Sequence, residues 1–129
     1  VASAAADVTI SASIKEQLFA GDLPKGDALG VARVAAIMAA KKTSSLVPLC
    51  HPIPIDAIDV AITETAEGAS VEVTARTSAK TGIEMEAMTA AAIGAVTLYD
   101  MIKGLDRGAE IGPIRLLHKS GGKTGEWNR

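Results

Sequence analysis

Three ionisable side chains stand out in an otherwise apolar stretch of this 129-residue sequence. Glu86, Asp100 and Lys103 are the charged residues of the stretch 85–103, which is otherwise mainly Ala, Ile, Leu, Met and Val. If a helix begins near Met85, the three charges fall within one arc of about 100°. Charges on a nearly all-apolar helix are costly unless they are paired or functional. An Asp100–Lys103 ion pair that only covers the helix end fits the spacing as well as a functional pair does.

The lysine residues are grouped locally, a pattern that favours a discrete anion site over a track for a polyanion. Lys119 and Lys123 flank Ser-Gly-Gly near the end of the sequence. Backbone N–H groups of such a glycine-rich segment, together with two ammonium groups, can surround a phosphate. We therefore expect residues 119–129 to form a flexible cationic tail with phosphate-binding capacity.

The distance between the two acids on the central helix limits how they can act. Glu86 and Asp100 are separated by 14 residues, which is roughly 21 Å along an unbroken helix. Two carboxylates that far apart cannot act on one reacting atom. If both are functional, the spacing predicts a site shared between subunits.

Cys50 and His51 lie in a proline-punctuated apolar segment, residues 43–56, whose prolines at 48, 52 and 54 exclude a regular helix. Two interpretations remain open from spacing: a buried loop with a structurally satisfied histidine, or a rigid loop that presents both side chains to a pocket. Neighbouring residues in an extended loop point to opposite faces, which argues against a thiol nucleophile activated by the adjacent histidine.

Composition excludes several classes of protein. The net charge is −2 and no basic stripe dominates, which argues against nucleic-acid binding. One cysteine and two histidines permit neither an intramolecular disulfide nor a Cys/His-rich zinc site. No uninterrupted apolar run of membrane-spanning length and no signal peptide are visible, so we expect a cytoplasmic protein without metal or membrane contacts.

Hydrophobic periodicity predicts a single α+β domain over residues 1–129, with helices on one face of a small antiparallel sheet. No helix or strand is predicted for residues 1–10. The predicted elements are helices over residues 11–20, 28–42 and from about 85 to 103, a hairpin with strands around residues 58–62 and 71–75, and a strand over residues 114–118.

An ordered set of motifs resembles the cyclic pyranopterin monophosphate synthase family, also called the MoaC family. The resemblance covers residues 23–125 in the expected order, which makes it far more specific than any one motif. The motifs are Lys25-Gly-Asp27, Val31-Ala-Arg33, Met38-Ala-Ala-Lys-Lys42, Pro48-Leu-Cys-His-Pro52, Lys80-Thr-Gly82, Glu84-Met-Glu-Ala87, Leu98-Tyr-Asp-Met101 with Lys103, Ile114-Arg-Leu-Leu117 and Lys119-Ser-Gly-Gly-Lys123.

The resemblance implies a ferredoxin-like fold and a homohexamer, a trimer of dimers with active sites at the dimer interface. It implies a small-molecule substrate, 3′,8-cyclo-7,8-dihydroguanosine 5′-triphosphate, which is converted to cyclic pyranopterin monophosphate with release of pyrophosphate. No cofactor is expected, and Mg²⁺ on the triphosphate is left open.

The same resemblance assigns roles to individual residues. Asp100 and Lys103 would be the general acid/base pair, and Lys25 a further catalytic or phosphate-contacting lysine. Lys119 would contact the triphosphate, with Lys123 and Arg33 as weaker correspondences. The residues expected to line the substrate pocket are Leu49, Cys50, His51, Met85 and Glu86.

Two departures from the family pattern and two competing functions accompany this assignment. An N-terminal segment with an Arg-containing motif is expected in the family and is not seen here, and Ala79 stands where a glycine often precedes Lys80. The alternatives are a ferredoxin-like binding module with Asp100 and Lys103 as a structural pair, and a metal-dependent phosphate hydrolase.

Overall fold

The computed structural model describes all residues from Val1 to Arg129. Its strands form one five-stranded antiparallel sheet in the order β2-β3-β1-β4-β5. The elements are β1 (Ala2–Thr9), α1 (Ala12–Ala20), α2 (Ala28–Lys41), α3 (Thr43–Leu46), β2 (Ala57–Glu64), β3 (Gly68–Arg76), α4 (Glu84–Ile102), β4 (Glu110–Lys119) and β5 (Trp127–Asn128).

The helices pack on one face of this sheet, and the first four strands have the order of the split βαβ, ferredoxin-like fold. The predicted α+β class is therefore confirmed, as are the three long helices and the hairpin. Residues 43–46, predicted as part of an extended loop, form the short helix α3 instead.

The central strand of the sheet is β1, which the sequence analysis did not predict. Ala2, Ala4, Ala6 and Val8 alternate toward the helices and are almost completely buried between β3 and β4. Alanine has a low strand propensity, and Ala5 on the opposite face hides the apolar–polar alternation. The strand is therefore specified by its neighbours in the sheet and not by its own composition.

Helix α4 runs without interruption from Glu84 to Ile102 and packs against α2 and the sheet through small side chains. A Cβ atom at Gly94 would lie 2.9 Å from Cγ1 of Val71 and 3.4 Å from Cβ of Ala36. Ala87, Ala90, Ala91 and Ala95 of α4 are completely buried, as are Ala32 and Ala36 of α2. Alanine and glycine at these positions allow the backbones of both helices and the sheet to approach closely.

The length and hydropathy of α4 meet those of a membrane span, contrary to the expectation from the sequence. The contacts of α4 with α2, β1, β3 and β4 account for its apolar composition, because they make it the core helix of the domain.

The cationic segment after β4 turns back toward the sheet. Trp127 and Asn128 pair with Lys119 and His118, and the Arg129 guanidinium stacks on the Trp127 ring at 5.5 Å from its centroid. The residues predicted as a flexible tail thus form a turn followed by a short edge strand, which holds Lys119 and Lys123 near the sheet.

We predict that Ala36→Leu destabilises the fold by about 1–3 kcal/mol, because the larger side chain has no room beside Gly94. Chemical denaturation monitored by circular dichroism measures this difference. The matched control is Ala20→Leu at the exposed end of α1, where the same change is expected to have little effect. Equal stability of the two variants would contradict the close-packing argument.

Candidate functional site

The predicted site residues form two separate groups at the two ends of α4. Because α4 is unbroken, the roughly 21 Å between Glu86 and Asp100 expected from the helical rise applies. The C-terminal cluster consists of Lys25, Asp100 and Lys103. The N-terminal cluster consists of Leu49, Cys50, His51, Met85, Glu86 and Lys119.

The N-terminal cluster, apart from Lys119, lines an open cleft of about 470 Å³ between the proline-rich loop and the first turn of α4. Residues 47–56 have no regular structure, as the prolines predicted. Cys50 and His51 line the cleft, and His51 is exposed. Of the two interpretations of this loop, the structure supports the one in which it presents side chains to a pocket.

Apolar surface is left uncovered beside this cleft. The Leu49 side chain is 91% exposed, and Met85 and Leu46 are also exposed. Large apolar side chains in such positions mark a binding or interaction surface.

Glu86 is the only buried carboxylate in the chain, with 5% of its surface exposed. Burial raises the pKa of Glu86, and the neighbouring charge of Glu84 raises it further, while a backbone hydrogen bond opposes the shift. The carboxyl group therefore retains its proton to a higher pH than a free glutamate does.

A second, entirely polar cleft of about 420 Å³ adjoins the first and contains three lysines, Lys80, Lys119 and Lys123. Lys119 Nζ lies 3.4 Å from Glu84 Oε1 and also contacts the Thr124 hydroxyl. Gly121 and Gly122 have φ values of 82° and 75°, a left-handed conformation that glycine adopts without strain. The cleft has the charge and shape to bind phosphate groups.

Glu84 and Lys80 were missing from the predicted site residues. Both were available in the sequence, since Glu84 precedes Glu86 by two residues and Lys80-Thr-Gly82 leads directly into α4. What the sequence could not supply is the ion pair that joins Glu84 to Lys119, because these residues come from different elements.

The C-terminal cluster is built around the Asp100 carboxylate. Lys103 Nζ lies 2.7 Å from Asp100 Oδ1, and Lys25 Nζ lies 3.6 Å from the same oxygen. Lys25 also donates to the Asp100 carbonyl oxygen at 3.0 Å. Lys25 reaches α4 from the tight turn between α1 and α2, in which Gly26 has φ 105° and donates to the Leu23 carbonyl at 3.0 Å.

The two lysines keep Asp100 ionised. The hydrogen bond from Lys103, with the charges of Lys103 and Lys25, lowers the pKa of Asp100, and the same hydrogen bond and charge raise the pKa of Lys103. About half of each side chain is exposed, and ion pairs with this exposure contribute little to stability. Lys103 is thus held as a protonated ammonium group beside an ionised carboxylate.

Tyr99 and Arg107, also missing from the predicted set, line a cleft of about 320 Å³ together with Lys25 and Lys103. The Tyr99 hydroxyl donates to the Arg107 carbonyl oxygen at 3.0 Å. Tyr99 is half-buried at the cleft. Arg33, the weaker correspondence on α2, is exposed and lies in neither cluster.

Taken together, the fold and the two clusters define a small ferredoxin-like α+β domain whose candidate site combines lysine-lined clefts with an Asp–Lys ion pair. The model of the MoaC family matches residues 1–122. The chain belongs to the MoaC family.

Three bacterial relatives illustrate the relationship. A cyclic pyranopterin monophosphate synthase of Corynebacterium glutamicum is 50% identical over 121 residues, which cover 94% of this chain and 78% of the relative. Cyclic pyranopterin monophosphate synthase 2 of Mycobacterium tuberculosis is 50% identical over 128 residues, which cover 99% of this chain and 77% of the relative. A cyclic pyranopterin monophosphate synthase of Geobacter sulfurreducens is 52% identical over 130 residues, which cover 99% of this chain and 81% of the relative.

We predict that Glu86→Gln stabilises the protein at pH 7. Because the folded state raises the pKa of Glu86, its stabilising contribution is present below the unfolded value near 4.5 and is lost as the pH rises through the folded value. The amide of glutamine carries no charge, so its burial does not oppose folding at pH 7. The melting temperature of the variant should therefore exceed the wild-type value by a few degrees, which corresponds to a free energy of unfolding higher by about 1 kcal/mol.

Thermal denaturation from pH 4 to pH 8 tests this expectation, and the difference should shrink as the pH falls. Glu16→Gln, which alters an exposed glutamate on α1, serves as the control and should show no such trend. A variant that melts below the wild type at pH 7 would mean that the ionised Glu86 is stabilised by a partner.

Proposed function

We propose that this chain converts 3′,8-cyclo-7,8-dihydroguanosine 5′-triphosphate to cyclic pyranopterin monophosphate with release of pyrophosphate, a step of molybdenum cofactor biosynthesis. The observation that carries the proposal is the triad in which Lys103 and Lys25 share the Asp100 carboxylate, at 2.7 Å and 3.6 Å. The names and identities of the relatives support the same reaction.

The residues of the two clusters divide this chemistry between them. Rearranging a purine into a pterin requires protons to move among ring nitrogens and sugar oxygens, for which Lys103 is the general acid and Asp100 its partner. Closing the cyclic phosphate requires a sugar hydroxyl to attack the first phosphorus while pyrophosphate departs with the bonding electron pair. The lysines of the polar cleft, Lys119 in particular, stabilise the negative charge that develops.

The cleft beside Glu86 is the proposed place for the heterocycle. Leu49 and Met85 supply apolar contact area, while Cys50, His51 and Glu86 supply groups that can hydrogen-bond ring nitrogens and the exocyclic amine. A buried carboxyl with a raised pKa is suited to such contacts because it can donate or accept a hydrogen bond.

We further propose that the working site combines the N-terminal cluster of one subunit with the C-terminal cluster of another. One face of α4 carries Met85, Ala92, Val96 and Lys103 at helical spacing, so both clusters border the same exposed stripe. Two copies of α4 packed antiparallel along this stripe would bring the Glu86 end of one beside the Lys103 end of the other.

Exposed apolar residues on the outer surface of the helices support such a contact. Val31, Val34 and Met38 of α2 are each about half exposed, as is Val96 of α4. A surface of this kind is typical of a homodimer interface. Assembly of three such dimers into a hexamer rests on the family resemblance.

The reaction is tested by incubating the full chain with the cyclic dihydroguanosine triphosphate and following pyrophosphate and pterin by mass spectrometry. Lys103→Ala and Asp100→Asn should each lower turnover by about a hundredfold or more, because general acid/base groups contribute rate factors of that order. Arg76→Gln, on the helix-free face of the sheet, is the control.

Pyrophosphate and pterin formed by the wild type and by the control, but not by the two variants, would support the proposal. Binding of the substrate without turnover by folded wild-type protein would favour the binding-module alternative. Loss of turnover on addition of a chelator would show that the triphosphate requires a divalent metal.

We predict that two inactive variants complement each other when their subunits mix. In a dimer of Glu86→Ala, which removes the hydrogen-bonding group, with Asp100→Asn, one composite site carries both substitutions and the other carries neither. Random mixing should restore up to about one quarter of wild-type activity, because half of the dimers are mixed and half of their sites are intact. Co-expression with two different affinity tags, followed by sequential purification, isolates the mixed dimer, for which up to about one half of wild-type activity is expected because one of its two composite sites is intact.

The control is co-expression of two differently tagged copies of the same variant, which should stay inactive. No recovery in a demonstrated mixed assembly would place each site within a single subunit.

A further inference from the structure

Arg107 lies beside the catalytic lysines but has no ion-pair partner in the chain. It lines the same cleft of about 320 Å³ as Lys25 and Lys103, which both contact Asp100. All acids that form ion pairs do so with other cations. The cleft therefore contains three cations next to a single carboxylate.

The loop that carries Arg107 is fixed at both sides. The Tyr99 hydroxyl donates to the Arg107 carbonyl at 3.0 Å. One residue earlier, the Asp106 carboxylate accepts a hydrogen bond from the Ser11 backbone N–H at 2.9 Å, which attaches the loop to the start of α1. The backbone N–H groups of Leu105 and Asp106 both donate to the Ile102 carbonyl at 2.9 Å. The position of Arg107 beside the cleft is thus built into the fold.

The chemistry of the three cations differs. Lys25 and Lys103 can release and accept protons, so a reaction that uses them as acids or bases changes their charge. A guanidinium group stays protonated at any pH at which the protein is folded, and its planar donors match two oxygens of a phosphate. Arg107 is the one member of this cluster whose positive charge is constant.

We propose that Arg107 is the permanent anion-binding residue of the acid/base cleft and that it binds phosphoryl oxygens of the triphosphate substrate and of released pyrophosphate. The identity of the anion rests on the proposed function, whereas the presence of an anion site rests on the cleft itself. In this role Arg107 keeps the phosphate chain beside Lys103 while the lysines exchange protons, and Tyr99 acts as a positioning residue.

Isothermal titration calorimetry with inorganic pyrophosphate tests the site without requiring turnover. Arg107→Gln should weaken pyrophosphate binding by about tenfold or more, since hydrogen bonds to charged groups are the strong ones. Arg107→Lys keeps the charge but not the planar pair of donors, and should recover part of the affinity. Tyr99→Phe removes the hydroxyl contact and should weaken binding by a smaller factor, about two- to fivefold.

Steady-state kinetics adds a second readout. Arg107→Gln should raise KM for the triphosphate more than it lowers kcat, and the pH dependence of kcat should keep its shape because the Asp100–Lys103 pair is untouched. Arg76→Gln removes one positive charge from the opposite face of the sheet and controls for net charge.

The outcomes separate this proposal from the proposed function. Weaker pyrophosphate binding by Arg107→Gln but not by Arg76→Gln, with partial recovery in Arg107→Lys, supports the anion site even if the wild type does not turn the substrate over. Unchanged pyrophosphate binding by folded Arg107→Gln overturns it, even if the wild type is fully active. An equal loss in Arg76→Gln also overturns it, because the effect would then be one of net charge.

Discussion

The close approach of α4 to α2 and to the sheet is the constraint on which the rest of this structure depends. Gly94 leaves no space for a further carbon beside Val71 and Ala36, and a layer of buried alanines continues the contact in both directions. Packing of this density surrounds an unbroken helix of 19 residues. Because the helix is unbroken, its two charged ends are kept roughly 21 Å apart, and the shared site proposed above would bring the two ends together from different subunits.

The two ends of α4 shift the pKa values of their carboxyl groups in opposite directions. At the N-terminal end, Glu86 is withdrawn from water, and burial favours its neutral form. At the C-terminal end, Asp100 remains half exposed between two ammonium groups, which favour its charged form. One helix therefore carries a carboxyl that tends to hold its proton and a carboxylate that tends to release it. Both tendencies arise from position, since the two side chains differ by a single methylene.

Sequence patterns with a strong period were predicted correctly, and those without one were not. The three long helices and the hairpin follow from apolar spacing, and the separation of Glu86 from Asp100 follows from the helical rise alone. Strand β1 was missed because alanine favours no strand and its burial depends on β3 and β4. Glu84 and Arg107 were missed for a similar reason, since their relation to Lys119 and to Lys25 arises from tertiary contacts.

The ion pair between Glu84 and Lys119 has a consequence for selectivity. In the unliganded chain the Lys119 ammonium is already occupied by a carboxylate and by the Thr124 hydroxyl, so an incoming anion must displace an intramolecular competitor. A small monoanion gains one lysine and loses one ion pair, and the exchange yields almost nothing. A polyphosphate that also engages Lys80 and Lys123 would gain two charges that form no ion pair with Glu84. If the cleft binds the triphosphate as proposed, Glu84 would therefore favour polyphosphates over abundant small anions.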